Sequence, residues 1–118
     1  MESAERSPEI ALYESADGSV SLEVTTDAET AWLTQEQMST LFGRERSVIS
    51  RHVANAEREE LDGLPTRAKF ARVQGEGGRR VEREIEHFNL DTVISVGYRV
   101  KSAEGVRFRR WASDVLKR

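Results

Sequence analysis

From Glu9 onward the chain alternates apolar with polar residues, first at Ile10 and Leu12 and then at Val20, Leu22 and Val24, on either side of the polar stretch Ser15 to Ser19. A period of two is the repeat of a half-buried strand, and Asp17-Gly18 is a tight-turn dipeptide. The pattern predicts a β-hairpin with the face of Ile10, Leu12, Val20, Leu22 and Val24 buried. Two strands alone are marginal in water, so this hairpin must pack on the helices that follow. From Thr34 the period becomes 3.6, with Met38, Leu41 and Phe42 on one side of a short helix. Thr34 and Gln37 form a capping-box pair at its start, and Gly43 suits its end. A second helix resumes within about three residues. Its inner side carries Ile49, His52, Val53 and Ala56; Ser47, Arg51, Ala54 and Arg58 point outward, with Ser50 on the flank.

Beyond Leu64-Pro65, the segments Phe70 to Val73 and Val81 to Phe88 flank a Gly-rich tip, Gln74 to Arg80, which predicts a second hairpin. Asn89 is placed to cap a helix containing Leu90, Val93, Ile94 and Val96 and ending near Gly97. Ser102 is placed to cap a last helix, in which Phe108, Trp111, Ala112 and Val115 fall at i, i+3, i+4 and i+7. The expected class is α+β: a small domain with an N-terminal β-hairpin, a helix-turn-helix, a second hairpin able to act as a wing, and two C-terminal helices. Residues 1–8, rich in Ser and Glu and ending in Pro8, read as a disordered leader, and 9–118 as a single DNA-binding domain. At 118 residues and 37% apolar content, the chain is expected to build one core.

Composition narrows the function. There is no cysteine, which excludes disulfides, thiolate zinc sites and cysteine catalysis. No apolar run approaches the length of a membrane span, and the N-terminus lacks the basic-then-apolar order of a signal peptide, so a cytoplasmic location is expected. The net charge of −3 is unevenly spread. Residues 1–43 hold one basic and nine acidic residues, a sum of −8, while residues 44–118 hold 17 basic and 12 acidic ones, a sum of +5. A local positive field is therefore compatible with an acidic whole.

The segment Gln35 to Ala54, QEQMSTLFGRERSVISRHVA, fits the spacing of a DNA-reading helix-turn-helix. Ser39 is small where the two helices come closest, Gly43 sits at the turn, and Phe42 and Ile49 face the core. Arg44 departs from the pattern, since an apolar residue is common after the turn glycine. The expected DNA contacts are Arg44, Arg46, Ser47, Ser50 and Arg51 from this unit, joined by Arg79 and Arg80 at the hairpin tip, with Arg72 and Arg83 extending the positive strip along the ribbon. Arginine can pair with guanine O6 and N7, serine with either base type or phosphate, and glycines let a backbone approach phosphate.

Two stretches, AWLTQEQMSTLFGRERSVISRHVANA and HFNLDTVISVGYRVKSAEGVRFRRWASDVLKR, closely resemble the N-terminal region of the RhuM family of bacterial virulence or pathogenicity-island proteins. The most specific piece is NLDTVISVGYRVKSAEGVRFRRWA, Asn89 to Ala112, and the likeness runs from Ile10 through nearly the whole chain. That family is distantly similar to phage Bro-N and KilA-N antirepressor domains, where a comparable Phe-Arg-x-Trp helix occurs. The resemblance implies DNA binding, and since family members continue past the equivalent of Arg118, it implies a fragment or a minimal form.

Enzyme chemistry finds little footing. His52 and His87 are far apart with no companion ligands, and are more simply structural. Gly75, Gly77 and Gly78 lack the Lys-Ser/Thr of a phosphate loop. Glu82, Glu84 and Glu86 alternate along one strand face, toward solvent. The expectation is sequence-specific binding of double-stranded DNA without cofactor, metal or catalysis, as a transcriptional regulator of a mobile-element or phage-derived locus. Two copies would suit a palindromic site, so a homodimer is a natural partner arrangement. The competing reading is a protein-interaction module, antirepressor-like or oligomerising, in which the acidic first hairpin or the aromatic last helix docks a partner.

Overall fold

The computed structural model describes residues 8–117, so the expected leader lies outside the described residues except for Pro8, which is exposed. In chain order the elements are β1 (Glu9–Glu14), β2 (Ser21–Thr26), β3 (Ala31–Leu33), α1 (Gln35–Phe42), α2 (Arg46–Glu59), β4 (Arg67–Glu76), β5 (Arg79–Asn89), α3 (Leu90–Arg99) and α4 (Glu104–Leu116). The strands form one antiparallel sheet in the order β1-β2-β3-β5-β4, which with the four helices makes an α+β fold.

Strand pairing decides which side chains meet the helices. Tyr13 lies across from Leu22, Thr26 from Ala31 and Leu33 from Phe88, so these residues and Val24 share one face. All but Thr26 join Met38, Phe42, Ile49, Val53, Val93, Val96 and Phe108 in the main core. The ring of Tyr13 packs edge-on against Phe108 and Trp111 at 5.3 and 5.4 Å, which fixes α4 beneath β1. This overturns one expectation. Ile10 and Leu12 belong to the opposite alternation and are 59% and 57% exposed. Tyr13 and Ala11 take the inner face because the aromatic side of α4 lies there.

The outer face of the sheet carries a smaller aromatic group. Trp32 and Phe70 meet at 5.4 Å, and Phe70 meets the fully buried His87 at 5.1 Å. The strand β3, too short to register as a periodic pattern, supplies Trp32 to this group and Leu33 to the main core. Because β3 ends so soon, the carbonyl of Glu23 on β2 has no strand beside it on the β3 side. It accepts instead from Gln37 Nε2 at 2.7 Å and from Arg72 at 3.3 Å.

The helix boundaries follow local chemistry. Thr34 and Gln37 form the reciprocal capping box, each bond 3.0 Å. Gly43 closes α1 in the left-handed conformation, φ 65°, and its N–H donates to Ser39. Asn89 Oδ1 accepts the Thr92 N–H at the start of α3, and Ser102 Oγ accepts the Glu104 N–H before α4. The expected stop near Gly97 gives way to a helix that continues to Arg99. Gly97 is buried where α3 crosses α4. A Cβ added there would lie 3.0 Å from the Phe42 ring and 3.2 Å from the Gly105 Cα. The second hairpin is longer than expected, since Gln74 to Glu76 are strand and only Gly77-Gly78, both at positive φ, make the turn.

Candidate nucleic-acid interface

Helix α2 is supported from behind by Ile49, Val53 and Ala56, each at most 1% exposed. Its C-terminal half is tied down by charge. Glu57 binds Arg67 at 2.7 Å and accepts from Thr66, while Arg99 on α3 reaches Glu59 and Glu60 at 2.9 and 3.2 Å. Ser95 also donates to Glu60. Arg67 is shared with Glu86 on β5 and stacks over Phe88, so this ion-pair group joins α2 to the base of the second hairpin. The arginine beside Glu57 holds that carboxyl below its usual range.

The N-terminal half of α2 is open. Arg46, Ser47, Ser50 and Arg51 are exposed, and among the described residues none of their side chains has a hydrogen-bond or ion-pair partner. Ser47 and Arg51 stand one turn apart on the same stripe, with Ser50 beside them. His52 turns inward from this stripe. Its Nδ1 is buried without a partner, and burial, followed by the positive charges of Arg51, Arg99 and Arg44, pushes its pKa down.

Arg44 is used differently from its neighbours. Its guanidinium donates to the carbonyls of Phe42 at 3.1 Å, Gly43 at 3.3 Å and Val100 at 3.0 Å, linking the end of α1 to the end of α3. Ser39 donates to the Arg44 carbonyl from the opposite direction. The polar residue at this turn thus takes the place of the usual apolar one by satisfying helix-end carbonyls.

Arg79 and Arg80 are exposed at the hairpin tip and project from opposite faces of the ribbon, as consecutive strand residues must. Arg79 lies across from Glu76, and Arg80 across from Gly75. The positive strip expected along this hairpin is interrupted, because Arg83 is held by Glu76 at 2.8 Å and Arg72 is turned to the Glu23 carbonyl. A groove of about 510 Å³ runs between α1, the first turn of α2 and the hairpin. It brings Arg46 together with Arg72 and Gln74 from β4 and with Gln35, Glu36 and Thr40 from α1. Sequence reasoning missed Gln35, Thr40 and Gln74 as neighbours of Arg46. The polar side of α1 opposite Met38 and Leu41, and the parity of Gln74 with Phe70, were the available signals.

Among the described residues no group of three or more His, Cys, Asp or Glu is arranged to hold a metal, and no helix is long and apolar enough to cross a membrane. No curated protein and no solved structure matches the chain. A family model does match residues 65–118, the long hairpin with α3 and α4. Over that span, which includes Asn89 to Ala112, the chain is similar to the Virulence protein RhuM family.

Proposed function

We propose that this protein binds double-stranded DNA in a sequence-specific way, with α1 and α2 as a helix-turn-helix and α2 as the reading helix. The observation that carries this reading is the exposed, unpartnered stripe of Ser47, Ser50 and Arg51, backed by core residues and preceded by the left-handed turn at Gly43. Such a helix start offers base-reading side chains and amide groups favourable to phosphate. Arg46 enters at the same end, and the second hairpin acts as a wing whose tip sets one of its two arginines against the sugar-phosphate backbone. The protein then acts by occupancy, without cofactor or catalysis, as a cytoplasmic regulator of transcription from a mobile-element or phage-derived locus.

Fluorescence anisotropy with a labelled random duplex tests the first part. Affinity should fall steeply between roughly 50 and 200 mM salt, as phosphate contacts release counterions. Selection of bound oligonucleotides from a random pool then supplies the preferred site. A folded protein with no binding at any salt concentration, or binding that enriches no motif, overturns the assignment.

A further inference from the structure

The largest exposed apolar side chains outside the second hairpin and its preceding loop fall into two pairs, on opposite sides of the molecule. Ile10 and Leu12 project from the outer face of β1, and Tyr98 and Val106 stand 84% and 52% exposed on α3 and α4. The inner face of β1 is pinned to α4 through Tyr13 and Phe108. Val106 precedes Phe108 by two residues, roughly 200° around the helix, and so points away from the sheet.

Carboxylates stand beside the first pair, where Arg72 also reaches the Glu23 carbonyl, and cations beside the second. Glu14 shares the alternation of Ile10 and Leu12, and Glu23 lies directly across from Leu12 on β2. Around Tyr98 and Val106 there is a groove of about 570 Å³ with an apolar floor including Ile94 and Ala103, and the only charged groups lining it are Lys101 and Arg109. Among the described residues none of these four charged side chains has an ion-pair partner. Two unpaired carboxylates beside one apolar patch thus match two unpaired cations beside the other.

We propose that the protein self-associates head to tail, the Ile10 and Leu12 face of one copy seating in the α3–α4 groove of the next. Apolar contact would supply the affinity, while Glu14 and Glu23 against Lys101 and Arg109 would set orientation. The two surfaces differ and face opposite ways, so the contact is heterologous. One copy cannot satisfy both of its own surfaces, and addition proceeds until a ring closes or a chain extends. A groove rimmed only by cations could also attract nucleic-acid phosphate, but its apolar floor and the exposed Tyr98 and Val106 favour a protein surface.

Sedimentation velocity over a range of concentrations, without DNA, tests this independently of the DNA-binding reading. The wild type should shift from monomer to larger species as concentration rises, and the shift should persist at raised salt, since apolar contact supplies the affinity. Leu12→Arg and Val106→Glu should each weaken association by about tenfold or more while leaving the circular dichroism unchanged, since both side chains are exposed. An equimolar mixture of the two variants is the decisive sample. The intact groove of the first accepts the intact strand face of the second, so the mixture should form heterodimers and nothing larger. Ile10→Lys replaces Leu12→Arg should the latter misfold. A wild type that stays monomeric at several hundred micromolar, variants that associate as the wild type does, or a mixture that remains monomeric would each overturn the proposal.

Discussion

Two arginines seven residues apart show how differently the same side chain can be employed. Arg51 stands on the open stripe of α2, whereas Arg44 is committed to three backbone carbonyls. Replacing Arg51 by Ala should leave the urea midpoint unchanged and cost about 1 to 3 kcal/mol on the selected DNA site, with much less lost on random duplex. Arg44→Ala should do the reverse, lowering stability by about 1 to 2 kcal/mol and affecting DNA only as far as the fold suffers. Equal losses on selected and random DNA for Arg51→Ala would remove it from the reading set. The inward turn of Ile49 and Val53 was legible from 3.6-residue periodicity. The role of Arg44 was not, because its Val100 partner lies 56 residues away and only the tertiary fold brings that carbonyl within reach.

At the scale of elements, the capping residues were the most legible features, since Thr34, Gly43 and Asn89 act within a few residues of themselves, whereas the last helix has Ala103 at its cap, one residue after the expected Ser102. Gly97 was misread for the complementary reason. A glycine ends a helix when local geometry governs, but here it permits α3 to cross close to α4, a demand set by Phe42 and Gly105. Gly97→Ala should therefore destabilise the protein by about 1 to 3 kcal/mol in thermal or urea unfolding, although alanine favours helices. A stabilised variant would mean that the crossing yields easily. The tip of the second hairpin leads to another expectation. Because Arg79 and Arg80 project from opposite faces, a single flat contact with DNA engages one of them. The double alanine variant should reduce the salt slope of binding by about one unit, and the two single variants should differ. A reduction of about two units would show that both reach phosphate.

For the whole molecule, acid should be the more damaging direction of pH. Burial lowers the pKa of both His52 and His87, and His87 hydrogen-bonds only through Nδ1, which donates to the Ile85 carbonyl at 2.7 Å, with Nε2 left buried and unpartnered. The unfolded chain binds these protons more readily than the folded one. The contribution is thus complete above the ordinary imidazole value of 6.5 and is lost as pH falls below it toward the depressed folded values. Unfolding free energy from urea melts should drop between about pH 7 and pH 5, and the drop should shrink in His87→Phe. An unchanged slope in that variant would exonerate His87. The sheet also divides unevenly. Among the described residues the strand pairing that joins the first hairpin to the second runs through β3, which pairs with two residues of β2 and two of β5, with the Arg72 bond to the Glu23 carbonyl beside it. Past that link the β4–β5 ribbon has no strand beside it on the β2 side. Its outer amides, from Val73 to Val81, should exchange with deuterium through small local openings that leave the rest of the sheet protected. On the proposed reading of the ribbon as a wing, three residues of strand would then serve as a swivel, letting the ribbon follow a groove of variable width while the core beneath stays fixed.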